Sequence, residues 1–231
     1  AAPRSTLVTF EDLAKRFLMY CDNYCGVPEK EEVIHISLTL LCEHLRKGLY
    51  LRDNPMEMLT DLERLRMTTS EIKRKREQAH KDGQHNLTNE SGAPKVILKI
   101  LSSCHGLILE DALTLGEQLL CARNYEGQKI FFQMIDKGGR DGSFFTSTRN
   151  TIRESLGALQ LYRKFSREVR SNISSKMVKD VQKNMAKVMP LLKFLSLLCE
   201  GHYEQTQNIM RHQPRNTITI NILAEVVDLL F

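Results

Sequence analysis

One acidic residue stands where its charge is electrostatically unfavourable. A strongly apolar segment, residues 191–198, leads to Glu200 at the predicted C-terminal end of a helix, and Gly201 and His202 follow directly. The last carbonyl groups of a helix carry partial negative charge, so a carboxylate there is disfavoured unless a cation lies close. Carboxylate and carbonyl oxygens are hard ligands that suit Ca²⁺, which takes about six to eight of them. The residues alone therefore leave two interpretations, a solvated glutamate or one ligand of a Ca²⁺ site completed from elsewhere.

Other residue patterns with chemical potential are weaker. Neither a Gly-rich phosphate loop nor the dinucleotide-binding spacing is present, and the glycine-rich run at 138–142 is predicted as a turn between helices. Cys21 and Cys25 lie four residues apart, but no second Cys or His pair follows at zinc-finger spacing. The seven His residues are scattered without a recognisable catalytic order. We therefore predict that the protein is not an enzyme.

Apolar residues recur with helical spacing along nearly the whole chain. Thr9 followed by Asp12 predicts the start of a first helix, because a hydroxyl and a carboxylate three residues apart can cap a helix reciprocally. Pro28 is predicted to open a second helix and Gly48 to end it. The core candidates of this second helix are Val33, Ile34, Ile36, Leu40, Leu41 and Leu45. The sequence predicts an all-α protein.

The triplet Leu-Leu-Cys occurs three times, at residues 40–42, 119–121 and 197–199. Successive cysteines are 79 and 78 residues apart, each about two units of the ~40–47-residue HEAT and armadillo period. Each triplet is predicted to end a helix. Coincidence is the alternative for so simple a triplet, but together with the helical pattern the spacing favours armadillo/HEAT-like stacked helical hairpins, an α-solenoid.

Three regions follow from the distribution of apolar and polar residues. We predict N-terminal helical repeats in residues 1–82, a linker at 83–91 and C-terminal helical repeats in residues 92–231. The charged stretch at 70–80 is either an exposed helix or a disordered loop. Residues 216–223 alternate like a strand but are predicted as helix, because apolar residues continue at helical spacing behind them. The chain starts without Met and stops within a helical pattern, so we expect a piece of a longer protein.

Composition narrows the classes of partner. Aromatic residues make up 6% of the 231 residues and Trp is absent, so a base-stacking surface for nucleic acid is poorly supplied. The net charge of +5 is spread along the chain, and the one dense basic run, residues 73–76, has Glu71 and Glu77 beside it. No apolar run approaches the ~18 residues that a membrane-spanning helix needs. We expect no nucleic-acid partner, no membrane span in this chain and reduced cysteines.

The C-terminal third resembles the inositol trisphosphate/ryanodine receptor family of intracellular calcium-release channels. The resemblance rests on residues 194–202 (FLSLLCEGH), 207–213 (QNIMRHQ) and 216–222 (NTITINI). Residues 92–104 and 124–132 are similar to the family's preceding repeat, although residues 120–123 replace its Gly-rich turn. The resemblance is specific from residue 92 to residue 231 and favours the inositol trisphosphate receptor side.

The resemblance implies a function that the residues alone do not. Glu200 matches a family ligand of the activating Ca²⁺ site, and His202 would stand next to that ligand without binding the ion, a helix-capping His being the alternative. The second acidic ligand of the family lies downstream of residue 231. We expect a regulatory and signal-relay solenoid on the cytoplasmic face of the endoplasmic or sarcoplasmic reticulum, in contact with the rest of the channel polypeptide and neighbouring subunits of a homotetramer. The alternative is a soluble HEAT-like adaptor that binds partner helices and holds no metal.

Overall fold

The computed structural model describes residues 9–53, 69–103, 106–138, 142–168 and 175–230. Within these ranges the chain forms ten α-helices and no strand, which confirms the all-α prediction. The helices are α1 (Phe10–Tyr24), α2 (Glu31–Asp53), α3 (Thr69–His85), α4 (Ala93–Ser103), α5 (Leu107–Leu120), α6 (Tyr125–Gly138), α7 (Ser143–Glu168), α8 (Ser175–Leu198), α9 (Glu204–Arg211) and α10 (Ile222–Leu230). Short helical turns stand at Pro28–Lys30, Asn86–Glu90 and Glu200–His202. None of the described helices is both long and apolar enough to cross a membrane.

The helices stack in two rows. One row consists of α1, α4, α7 and α10, and the other consists of α2, α5 and α8, each helix packing against the next in its row. The pairs α1/α2, α4/α5 and α7/α8 join the rows as hairpins. Helices α3, α6 and α9 follow the second helix of each hairpin, so the repeating unit has three helices. This arrangement is the α-solenoid that the sequence predicted.

The Leu-Leu-Cys triplets lie on the equivalent helices α2, α5 and α8. Their spacing of 79 and 78 residues is therefore one three-helix unit, not two shorter units as the sequence suggested. The second and third triplets stand at the ends of α5 and α8, as predicted. The prediction is wrong for residues 40–42, because α2 continues through Gly48 to Asp53. A single glycine inside a helix costs only about 1 kcal/mol, which packing along a long helix offsets.

Half of the core candidates on α2 face away from the core. Ile34, Leu41 and Leu45 are buried, whereas Val33, Ile36 and Leu40 are about half exposed. A helix has 3.6 residues per turn, so the two sets lie on different faces, and one face alone packs against the neighbouring helices. The prediction is wrong for the exposed three.

Close packing between α5 and α8 sets the ends of these helices side by side. Gly116 lies against Phe194, and a Cβ atom at Gly116 would stand 2.6 Å from the Phe194 ring. The Phe194 ring in turn meets the edge of Phe131 with centroids 5.4 Å apart. All side-chain atoms of both phenylalanines are buried, so this cluster fixes the approach of the two helices.

The segments around the predicted linker are helical. Thr9 and Asp12 form the expected capping box of α1. The charged stretch belongs to α3, and residues 83–91 comprise its end and a π-helical turn in which Leu87 and Thr88 are buried. The boundary between two groups of repeats stays a prediction. Most of the glycine-rich run, residues 139–141, lies outside the described residues.

The prediction of helix for residues 216–223 is wrong for 216–221, since α10 begins at Ile222. Because this segment is not helical, the Gln213 side chain supplies hydrogen bonds to its backbone. Its amide donates to the carbonyl oxygens of Ile209 and Ile220, and its Oε1 accepts from Ile220 N at 2.7 Å. Asn221 then caps α10 by accepting from Ala224 N at 3.1 Å. Pro190 stands inside α8.

Candidate divalent-cation site

The end of α8 is formed by a left-handed turn. Helix α8 ends at Leu198, and Gly201 (φ +70°) and His202 (φ +62°) both adopt the left-handed conformation. Gly201 has a second reason to lack a side chain, because a Cβ there would lie 2.8 Å from Oη of Tyr125. The predicted helix end at Glu200 is therefore confirmed. The turn presents the Glu200 side chain beyond the last carbonyl groups of α8.

Two glutamine side chains satisfy those carbonyl groups. Gln128 of α6 donates to Leu197 O at 2.7 Å and to Glu200 O at 3.1 Å. Gln207 of α9 donates to Cys199 O at 3.0 Å. These amide donors offset part of the negative potential at the helix end. The carbonyl groups therefore do not require a metal ion, and the carboxylate of Glu200 is the group at this helix end that can bind a cation.

The carboxylate of Glu200 has one basic neighbour among the described residues. Nε of Arg123, in the loop between α5 and α6, lies 3.9 Å from Oε1 of Glu200. The side chains are 72% and 41% exposed, so water screens the pair and its contribution to stability is at most about 1 kcal/mol. A half-exposed carboxylate held by one long ion pair can exchange its partner for another cation.

The described residues fit one ligand of a Ca²⁺ site and no more. Nowhere in the described ranges do three or more His, Cys, Asp or Glu side chains come together as a metal site would require. His202 is exposed and has no hydrogen-bond or ion-pair partner within those ranges, and its place beside the Ca²⁺ ligand stays a prediction. Burial raises the pKa of the Cys199 thiol, which keeps it protonated at neutral pH and unsuitable as a ligand. A Ca²⁺ ion at Glu200 would take its remaining oxygen ligands from elsewhere.

The segment that carries Glu200 matches a known protein family. The family model described as RyR and IP3R Homology associated matches residues 182–231. This range holds the second half of α8, Glu200, His202 and all that follows. The match supports the inositol trisphosphate/ryanodine receptor family for this part of the chain and does not distinguish the two receptor types. The wider resemblance, over residues 92–181, stays a prediction.

The loop between α5 and α6, whose Arg123 pairs with Glu200, carries residues that the sequence did not single out. Ala122 (φ +58°) and Arg123 (φ +57°) are left-handed although neither is glycine. Gln84 of α3 donates to the carbonyl oxygens of Gln118, Leu119 and Cys121 at the end of α5. The sequence held one signal here, the departure of residues 120–123 from the Gly-rich turn that the resemblance predicts. The glutamine contacts had no local signal, because Gln128 and Leu197 are 69 residues apart.

An open polar cavity of about 340 Å³ lies on the other side of the same loop. Arg123 and Tyr125 line it together with residues of α3 and the π-helical turn. Within it Nδ1 of His85 lies 3.3 Å from Oε2 of Glu126 and 2.8 Å from the amide of Asn89. The second carboxylate of the lining, Asp82, accepts from Gln78 at 2.8 Å, so both carboxylates of the cavity already have partners.

Proposed function

We propose that the chain is a cytosolic regulatory and signal-relay solenoid of a calcium-release channel in the inositol trisphosphate/ryanodine receptor family. The family match over residues 182–231 carries this proposal. The two-row helical stack supports it, because a stack in which each unit packs on the next transmits displacement of one end to the other. The family consists of channels, so we propose a relay role and no enzymatic one. We place it on the cytoplasmic face of the endoplasmic or sarcoplasmic reticulum, in a homotetramer of the inositol trisphosphate receptor type.

Within that channel we propose that Glu200 contributes one carboxylate to the activating Ca²⁺ site. The carboxylate is half exposed, stands beyond a helix end whose carbonyls are already satisfied, and has only a long ion pair to give up. The second carboxylate would come from another segment. An ion held between two segments favours the arrangement in which they are close, and it shifts the closed–open equilibrium by its differential affinity for the two states.

The variant Glu200→Gln in the full-length channel tests this role. Loss of one carboxylate ligand lowers the charge that binds Ca²⁺, so the activation curve should move to higher Ca²⁺ by on the order of tenfold. Single-channel open probability against free Ca²⁺ measures it. The matched control is Glu204→Gln, which removes the same charge four residues away at the exposed start of α9. An activation curve that stays in place for Glu200→Gln would refute the proposed site.

The second candidate is a soluble adaptor that binds partner helices. It is favoured by the exposed apolar face of α2, formed by Val33, Ile36 and Leu40. The complete reading frame separates the candidates, because a pore with a selectivity filter downstream of residue 231 is required by the channel and absent from an adaptor.

A further inference from the structure

The ion pair between Arg123 and Glu200 joins two consecutive repeats of the stack. Arg123 follows α5, the second helix of one hairpin, and Glu200 follows α8, the second helix of the next. Nε of Arg123 and Oε1 of Glu200 are 3.9 Å apart. The guanidinium thus stands beside the oxygen atoms that a divalent cation would have to bind.

The backbone under Arg123 is held from both sides. Asn124 donates to Leu119 O at 2.8 Å and accepts from Gly127 N at 3.0 Å, which fixes the start of α6. Tyr125 N donates to Arg123 O at 2.9 Å. With Gln84 on the carbonyl of Cys121, these bonds impose the left-handed conformation on a residue that is not glycine. The Arg123 side chain therefore starts from a fixed point next to the end of α8.

The geometry of this pair differs from that of a structural ion pair in the same chain. Arg153 binds Glu225 through two hydrogen bonds of 2.7 Å each, and the Glu225 side chain is only 12% exposed. Such a two-pronged pair is strong and closed to other cations. Arg123 makes one long contact to an exposed carboxylate, so it can be displaced.

We propose that Arg123 is a built-in competitor that lowers the affinity of Glu200 for Ca²⁺. The inference rests on the proposed function, since it concerns the same carboxylate. A guanidinium and a divalent cation use the same carboxylate oxygens, and when both are present their like charges repel. Removal of the positive charge at position 123 therefore leaves Glu200 free and strengthens Ca²⁺ binding. The binding threshold of the site is set by the loop of the preceding repeat.

The test is Ca²⁺ binding by the full-length protein, measured by equilibrium dialysis with radioactive Ca²⁺ alone as the probe. Arg123→Gln should lower the dissociation constant of the component that Glu200→Gln removes, by about three- to tenfold for one partly screened charge. Arg123→Lys keeps the charge and should stay near the wild type. The gain should shrink as the salt concentration rises, because exposed charges are screened over about 10 Å at 0.1 M. Arg215→Gln is the control for net charge, since it removes the partner of Asp136 at a different surface.

The outcomes separate this inference from the proposed function. If Glu200→Gln leaves Ca²⁺ binding unchanged, the proposed site fails and the competitor fails with it. If Glu200→Gln weakens binding but Arg123→Gln does not strengthen it, the site stands and the competitor is refuted. Equal effects of Arg123→Gln and Arg123→Lys would also refute it, because they would show that the shape of the side chain matters and its charge does not.

Discussion

The loops that follow α5 and α8 both leave carbonyl groups at a helix end that need hydrogen-bond donors. Both come after a Leu-Leu-Cys triplet, both contain two successive left-handed residues, and both have their helix-end carbonyls satisfied by glutamine side chains from another helix. They differ in the side chains that they present. The first loop carries a basic residue, Arg123, and the second carries an acidic one, Glu200.

The difference shows how a repeat fold separates structure from function. In each case the glutamine comes from the third helix of the preceding repeat, Gln84 of α3 for α5 and Gln128 of α6 for α8. The carbonyl groups are therefore satisfied by neutral amides, and neither loop needs an ion to fold. The charged residues of the loops remain free to interact with each other and with a cation.

Replacement of the two glutamines tests this comparison with the largest expected change in stability. Leucine at position 84 removes a donor from three carbonyl groups, but Leu119 O keeps Asn124 and Gln118 O keeps the Cys121 thiol. Cys121 O loses the amide altogether, and we expect the free energy of unfolding to fall by about 2 kcal/mol. Gln128→Leu should cost about 1–2 kcal/mol. The loss of its two hydrogen bonds is partly offset, because the substitution also removes a buried Oε1 that has no partner among the described residues. Urea unfolding followed by circular dichroism measures both.

The matched control is Gln78→Leu, which removes only an exposed bond to Asp82 within α3 and should change stability by less than about 0.5 kcal/mol. A loss for Gln84→Leu no larger than that of the control would show that the two helix ends are not held in the same way.

The sequence predicted the parts of this arrangement that have local causes. Apolar spacing predicts the helices, and the run from residue 191 to Gly201 predicts where α8 ends. It predicts that Glu200 stands at that end. The Leu-Leu-Cys triplets carry the period but do not fix the number of helices in a unit, because one three-helix unit and two shorter units give the same spacing in residues.

The rest depends on contacts between residues distant in the chain. Which face of α2 is buried is decided by its neighbours, so Val33 and Ile36 looked like core residues although they are exposed. The Gln213 side chain bonds to Ile220 seven residues away, a contact that the strand-like alternation of residues 216–221 does not reveal. Arg123 is recognisable as the partner of Glu200 only once the two helices are stacked.

Exchange of glycine and alanine in the two loops should act in opposite directions. Gly201→Ala places a methyl group against the Tyr125 ring at a positive φ, and we expect a loss of about 1–2 kcal/mol. Ala122→Gly relieves a left-handed alanine, and we expect a gain of about 1 kcal/mol. Thermal unfolding of the two variants beside the wild type checks both signs. A loss for Ala122→Gly would mean that its methyl group contributes packing that outweighs the backbone strain.

The end of α1 sharpens the comparison, because there charge does the work that neutral amides do at α5 and α8. Lys95 binds the carboxylate of Asp22 at 2.7 Å, and Lys99 binds the same carboxylate and the Asp22 carbonyl oxygen. The hydrogen bond from Lys95 lowers the pKa of Asp22, so its contribution to stability is complete above the unfolded-state pKa of about 4 and is lost as the pH falls through the lower folded-state value.

Asp22→Asn should therefore cost up to about 1 kcal/mol at pH 7, since the lysines are largely exposed, and the difference from the wild type should vanish in strong acid. The loss from Gln84→Leu should keep its size over the same range, because no proton binds to an amide there. Urea unfolding at several pH values measures both differences, and a pH-independent cost for Asp22→Asn would show that the bonds to Asp22 act through shape and not through charge.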